Sequence, residues 1–140
     1  MIGFTDMNIL ITGIAGFIGS HLAKCLMQDP SNYIIGIDDF NNLIYDSKIK
    51  YDRLKSLLDF TENDLYNLTL KSNTTNTNHY NIELYKADIT DYNSIQNIFN
   101  SYSKFDVIVH LAANANPIKS SSSDYSHNYV HTNYWYIQFT

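Results

Sequence analysis

Short apolar runs alternate along the chain with segments in which apolar residues recur at every third or fourth position. The short runs predict β-strands, and they lie at about residues 8–12, 33–37, 82–85 and 106–111. The segments with helical spacing predict α-helices at about 17–28 and 47–60, after a cap at Thr90 or Asp91, and from about Asp124 onward. A repeated strand–helix order of this kind favours an α/β fold with a parallel sheet and right-handed crossovers.

Two segments depart from this simple alternation. Residues 106–111 are apolar at nearly every position, which is typical of a strand covered on both faces. Residues 61–81 are polar and contain the low-complexity stretch 72–78, so we predict a surface insert without a core-forming pattern. The chain has 140 residues, of which 44% are hydrophobic, and we treat 1–140 as one domain with one core.

Three glycines follow the first predicted strand at intervals of three residues. Gly13 would let the chain turn sharply, Gly16 would let the backbone approach an anion, and Gly19 would let the helix pack closely on the strand. The N–H groups of Phe17 and Ile18 would then point at the anion, helped by the helix dipole. The pattern predicts a binding site for a dinucleotide pyrophosphate, and the alternative is an ordinary loop.

The second predicted strand ends in an acidic residue, at a position typical of dinucleotide-binding sites. Asp38 ends the second predicted strand, 19 residues after Gly19, near the spacing expected for a carboxylate that binds the adenosine ribose. A carboxylate there repels a 2′-phosphate, and no Arg or Lys lies within the next several residues, so NAD is favoured over NADP. The alternative is a solvated strand-end acid or a helix N-cap, and Asp39 is the weaker candidate of the two.

Composition narrows the choice of partners and compartment. The net charge of −5 gives no reason to expect nucleic acid or an anionic membrane. The single cysteine, Cys25, excludes a disulfide and fits a reducing compartment, so we expect a cytoplasmic protein. The first apolar run is broken by the glycine turn and predicts neither a signal peptide nor a membrane span. The five histidines show no convincing metal-ligand spacing, and no metal is expected.

Four separated segments, 12–22, 88–89, 110–115 and 129–133, carry a family resemblance. Taken in order they resemble the N-terminal part of the extended short-chain dehydrogenases, the NAD-dependent sugar-nucleotide epimerases and dehydratases. The resemblance implies a Rossmann-type parallel sheet whose strand order starts 3-2-1-4, with NAD across the carboxyl ends of the strands. It also implies that Asp88 and Ile89 flank adenine. The cofactor-binding candidates are therefore Gly13, Gly16, Phe17, Ile18, Gly19, Asp38, Asp39, Asn41, Asp88, Ile89, Leu111, Ala112, Ala113 and Asn133.

Within the family, the loop and helix at 36–54 are similar to those of UDP-glucuronate 4-epimerases. A dTDP- or GDP-sugar 4,6-dehydratase is the alternative branch. Such enzymes move a hydride to and from sugar C4 with a Tyr-x-x-x-Lys motif that follows a later strand. The last lysine here is Lys119, so we assign no catalytic residue. Tyr51 and Lys55 fit the spacing, but they lie within a predicted helix and are interpreted as its solvated surface.

The resemblance implies the NAD-binding part of a nucleotide-sugar epimerase or dehydratase, not catalytic alone. It would act on a nucleotide sugar only if a C-terminal half were supplied, and the sheet would stop after about four strands. The alternative is a non-catalytic NAD-binding or interaction module, or a truncated remnant. A fourth strand left at the sheet edge would favour self-association or a partner there. Trp135 and Tyr136 replace the glycine expected after Asn133, so we expect the last residues to lie outside family sequence.

Overall fold

The computed structural model describes residues 6–42, 46–70, 74–76 and 80–113. Strands and helices alternate through these ranges, as the hydrophobic pattern predicts. The elements are β1 (Asn8–Thr12), α1 (Phe17–Leu26), β2 (Tyr33–Asp38), α2 (Ser47–Leu58), α3 (Glu62–Leu70), β3 (Thr74–Asn76), β4 (Ile82–Lys86), α4 (Tyr92–Asn100) and β5 (Val107–His110).

The strands form one sheet in the order β3-β4-β2-β1-β5. β4, β2, β1 and β5 are parallel, and Leu10 at the centre of β1 lies opposite Ile35 on one side and Ile108 on the other. These are the four predicted strands in the predicted 3-2-1-4 order, so the Rossmann-type fold is confirmed. The short β3 pairs antiparallel with the outer edge of β4.

Helices cover the two faces of the sheet with separate apolar clusters. On one face, Ile9 and Ile11 of β1 pack with Leu54 and Leu58 of α2. On the other face, the central strands pack against α4, in a cluster made of Leu10, Ile35, Ile37, Ile89, Ile95 and Ile98. Alternate strand residues therefore point into different layers, as a pleated sheet requires. Asp91 is the cap of α4, since its side chain accepts the N–H groups of Asn93 and Ser94.

The prediction of a polar insert without a core-forming pattern is wrong for part of 61–81. α3 occupies residues 62–70, and its Leu65 and Leu68 are buried in the main cluster, which is the one that contains Ile9, Ile11, Leu54 and Leu58. Its start is fixed by a reciprocal cap, in which Asp64 accepts the N–H of Thr61 and the Thr61 hydroxyl accepts the N–H of Asp64. Two leucines three residues apart supply enough of an apolar stripe because the sheet lies beneath them. Residues 71–73 and 77–79 lie outside the described ranges.

β5 is covered on one face only within the described residues. Val107 and Val109 pack against the main cluster, whereas Ile108 is 50% exposed. The prediction that this strand is covered on both faces is therefore wrong for the described part of the chain. The helix expected from about Asp124 onward lies outside it. No helix among the described residues is long and apolar enough to cross a membrane.

Candidate functional site

The glycine turn joins β1 to α1 at the carboxyl end of the sheet. Gly13 has a φ of +72°, and its N–H donates to the Ile37 carbonyl oxygen at 2.7 Å. A Cβ on Gly13 would lie 2.8 Å from the Ala112 backbone nitrogen, and one on Gly16 would lie 3.0 Å from the Gly13 carbonyl oxygen. A side chain at Gly13 or Gly16 would collide with the backbone of a neighbouring segment, so both positions require glycine.

The start of α1 is left open to an external acceptor. Gly16 occupies the N-cap position, and no side chain among the described residues caps this helix. Phe17 and Ile18, the first two helical residues, are exposed. Uncapped N–H groups at a helix start favour an anion, and phosphate suits them best. The geometry of this helix start therefore fits the predicted pyrophosphate-binding site.

Asp38 links the glycine turn to the loop after β2. Its Oδ2 accepts the N–H of Ala15 at 3.1 Å, and its Oδ1 accepts the N–H of Phe40 at 3.0 Å. The side chain is only 4% exposed. The alternative of a solvated strand-end acid is therefore wrong, and so is that of a helix N-cap, because Asp46 caps α2. An ionised carboxylate has about four acceptor positions, so one position on Oδ2 remains for a ligand hydroxyl.

A lysine that sequence reasoning missed lies beside this carboxylate. Lys50 Nζ is 2.8 Å from Asp38 Oδ1 and 3.4 Å from Asp39 Oδ1, and its side chain is 12% exposed. Burial lowers the pKa of Lys50, but the two carboxylates outweigh burial and the net pKa is raised. Lys50 lies 12 residues after Asp38, and α2 brings it back to the end of β2. The residues directly after Asp38 in the sequence therefore give no sign of this ion pair.

Asp39 and Asn41 form a second polar group beside the ion pair. The Asn41 backbone N–H donates to Asp39 Oδ1 at 3.0 Å, and the Asn41 side-chain amide donates to Asp39 Oδ2. Phe40 between them has a φ of +55° and stacks on Tyr51, with ring centroids 4.8 Å apart. A bulky residue in this region of φ indicates local strain, held here by packing. The interpretation of Tyr51 as solvated helix surface is wrong, because its ring covers Phe40.

A second cation from α2 reaches the glycine turn. An Arg53 guanidinium N–H donates to the Ala15 carbonyl oxygen at 3.4 Å, and the guanidinium carbon lies 5.8 Å from the centre of the Phe17 ring. The Phe17 ring also contacts His21, with ring centroids 4.7 Å apart. Arg53 thus places positive charge beside the open helix start, which suits an anionic ligand. The sequence analysis gave Arg53 no role in the site.

The segment after β4 brings Asp88 to the same end of the sheet. Asp88 is exposed, and its Oδ1 accepts both the N–H and the hydroxyl of Thr90 at 2.8 Å. Ile89 is buried in the apolar cluster that also contains Ile37 and the α4 residues Ile95 and Ile98. The N–H of Ala87 donates to the Asp38 carbonyl oxygen, so this segment is fixed to β2. Asp88 is the accessible member of the predicted adenine pair.

The hydroxyl of Thr12 binds the backbone that follows β5. Thr12 Oγ1 accepts the N–H groups of Leu111 and Ala112 at 3.2 Å each, and it lies 2.7 Å from His110 Nδ1. Two accepted bonds use both lone pairs, so the hydroxyl donates its hydrogen to Nδ1. His110 is then neutral with its proton on Nε2, and partial burial lowers its pKa. Ala113 follows and is exposed.

The carboxyl ends of β1, β2, β4 and β5 bring the described candidates together, while Asn133 lies outside the described residues. No group of three His, Cys, Asp or Glu side chains within the described ranges could hold a metal ion. The candidates gathered at this end are Gly13, Gly16, Phe17, Ile18, Gly19, Asp38, Asp39, Asn41, Asp88, Ile89, Leu111, Ala112 and Ala113.

A family model and several known proteins match this chain. A model of the NAD dependent epimerase/dehydratase family matches residues 9–135. The UDP-glucuronate 4-epimerase of Thermodesulfobacterium geofontis is 33% identical over 106 residues, which are 76% of this chain and 26% of that protein. The dTDP-glucose 4,6-dehydratase of Haemophilus influenzae is 34% identical over 127 residues, which are 91% of this chain and 30% of that protein.

A solved structure shows the same arrangement of elements. The crystal structure of UDP-glucuronic acid 4-epimerase from Bacillus cereus, in complex with UDP-glucuronic acid and NAD, superposes with a TM-score of 0.64 at 27% sequence identity. The match covers 91% of this chain and 32% of that one. The chain thus spans about a quarter to a third of the length of these relatives.

Proposed function

The chain belongs to the NAD-dependent epimerase/dehydratase family, and from that membership we propose that it is the NAD-binding portion of a nucleotide-sugar epimerase or dehydratase. The observation that carries the proposal is the open start of α1, which lies above a glycine turn that admits no side chain. Uncapped N–H groups at this position match the charge and hydrogen bonding of a pyrophosphate.

Each group of candidate residues has a role in this proposal. The turn of Gly13, Gly16 and Gly19, with the N–H groups of Phe17 and Ile18, would bind the pyrophosphate. On the adenosine side, Asp38, Asp39 and Asn41 would contact the ribose, and Asp88 and Ile89 would flank adenine. Leu111, Ala112, Ala113 and Asn133 would line the nicotinamide side of the cofactor. When bound, NAD would supply a hydride acceptor for sugar oxidation.

The substrate belongs to the same proposal. Relatives acting on UDP-glucuronate and on dTDP-glucose both match, so a nucleotide sugar is the substrate class we propose. The loop at 36–54 supports the UDP-glucuronate 4-epimerase branch, and the structural match to the Bacillus cereus enzyme supports it too. We assign no catalytic residue within 1–140, and turnover would need the part of the relatives that this chain does not span. A reducing, cytoplasmic setting completes the proposal and rests on the single cysteine.

A non-catalytic module that binds NAD and a protein partner is the second candidate. It is supported by β5, whose Ile108 is half exposed and whose outer edge pairs with no strand among the described residues. A copy of this chain, or a separate C-terminal half, would bind there. Restored epimerase activity on mixing with a C-terminal half would favour the first candidate, and NAD-dependent self-association without activity would favour the second.

The test of the proposal is a thermal melt of the whole chain with and without NAD. NAD at 100 times its dissociation constant should stabilise the native state by about 2.7 kcal/mol. Gly16→Val should abolish this shift, because its side chain would occupy the phosphate position. Cys25→Ser, an exposed substitution later in α1, is the matched control and should keep it. A cooperative melt of the unsubstituted chain that NAD leaves unchanged would overturn the proposal.

A further inference from the structure

Lys50 is an almost buried ammonium at the ribose end of the proposed site. Its Nζ lies 2.8 Å from Asp38 and 3.4 Å from Asp39, and only 12% of its side chain is exposed. Lys48 and Lys55, on the same helix, make ion pairs with Asp52 and Glu62 at the surface. The α2 helix thus directs one of its three lysines inward, to the carboxylate proposed to contact the ribose.

The charges of this group explain how it would select a cofactor. Asp38 and Asp39 carry two negative charges and Lys50 carries one positive charge, so the group has a net charge of −1. A ribose hydroxyl can donate to the free position on Asp38, whereas a 2′-phosphate would meet an excess of negative charge. Lys50 Nζ contacts Oδ1 and a ribose hydroxyl would contact Oδ2 of the same carboxylate, so the two groups would lie within about 8 Å of each other.

We propose that Lys50 is a specificity-determining residue of the cofactor site, with two opposed effects. Paired with Asp38, it holds the carboxylate in place as an acceptor for ribose hydroxyls. Released from Asp38, it becomes the cation that binds a 2′-phosphate. The site then prefers NAD because Asp38 neutralises Lys50, and not because the site lacks a cation. This inference rests on the proposed function, since it concerns the same NAD site.

A purely structural ion pair would behave differently. It would change the free energy of unfolding when either partner is replaced, but it would not change the affinity for NADP relative to that for NAD. The ratio of the two dissociation constants therefore separates a role in specificity from one in stability. Arg53 is a separate cation that contacts Ala15 and Phe17 at the glycine turn, and none of the substitutions compared removes it.

The test measures NAD and NADP binding to the whole chain by isothermal titration calorimetry at one fixed ionic strength. Asp38→Asn keeps the shape of the side chain and removes its charge. It should lower the ratio of the NADP to the NAD dissociation constant by about tenfold or more. Adding Lys50→Met to Asp38→Asn should remove this gain. Adding Lys48→Met instead is the matched control and should leave the gain in place, since Lys48 is 76% exposed.

Each other outcome overturns a defined statement. If Asp38→Asn binds NAD with an unchanged ratio, or if Lys50→Met leaves the lowered ratio as it is, the role of Lys50 in specificity is wrong. If the unsubstituted chain folds but binds neither cofactor, the proposed function fails, and this inference fails with it. If Asp38→Asn does not fold, Asp39→Asn carries the test, because it keeps the buried pair. It must lower the ratio by about threefold in a Lys50-dependent way, and an unchanged ratio overturns the inference.

Discussion

The two flanks of the sheet differ in how completely the described residues enclose them. On the β2 flank, Asp38 accepts bonds from the glycine turn, from the next loop and from α2, and it is almost buried. On the β5 flank, Ile108 is half exposed and His110 is exposed. The difference teaches that the adenosine side of the proposed site is assembled by local contacts within 6–113. On the β5 flank those residues leave the apolar side chain of Ile108 half exposed.

The largest effect should come from breaking the enclosed flank. Lys50→Met leaves a buried carboxylate without its cation, and we expect the free energy of unfolding to fall by about 3–5 kcal/mol. Lys48→Met removes an exposed pair with Asp52 and should change this free energy far less, because solvent screens the pair. Urea denaturation of both variants measures the contrast. Equal losses would mean that the Lys50 pair is no more protected than a surface pair.

One face of the sheet allows a direct comparison of the enclosed centre with the β5 flank. Leu10 and Ile108 lie opposite each other in the register, but Leu10 is 1% exposed and Ile108 is 50% exposed. Leu10→Ala should cost about 2–5 kcal/mol, whereas Ile108→Ala should cost roughly 1 kcal/mol or less. Urea denaturation at low protein concentration distinguishes them. A loss for Ile108→Ala as large as that for Leu10→Ala would show that this face is covered in solution.

A smaller effect should show how the β5 end is anchored to β1. Thr12→Val keeps the shape of the side chain but leaves the Ala112 N–H without its acceptor, so stability should fall by about 1–3 kcal/mol. Thr12→Ser keeps the hydroxyl and should lose less. Thermal unfolding of the two variants provides the measurement. A valine variant as stable as the serine variant would contradict the assigned hydrogen bonds.

The smallest effect is a pH dependence at His110. Its pKa in the folded chain is lowered below the ordinary value of 6.5, so below that pH the unfolded chain binds more protons. His110 therefore reduces stability as the pH falls through 6.5 toward its folded pKa, and the reduction is absent above 6.5. His110→Gln should make the loss of melting temperature between neutral and mildly acidic pH shallower. An unchanged slope would show that the folded chain does not disfavour protonation of His110.

How much the sequence could predict follows from the range of each interaction. The positions of the four parallel strands and the glycine turn were predictable, because apolar periodicity and three regularly spaced glycines are local signals. The order of those strands in the sheet came from the family resemblance. α3 was missed, although the reciprocal cap of Thr61 and Asp64 was a readable local signal. Lys50 could not be predicted, because its pairing depends on where α2 packs. The neutral state of His110 likewise depends on contacts between β1 and β5, about a hundred residues apart.

The antiparallel β3 has a consequence for how this sheet could grow. With only three residues, β3 covers the outer side of β4 and offers little edge of its own. Within the described residues, β5 is then the longer of the two edges that another strand could join, with four residues. An association that pairs β5 of one copy with β5 of another uses this edge on both, so it closes at two copies and does not continue into a fibre.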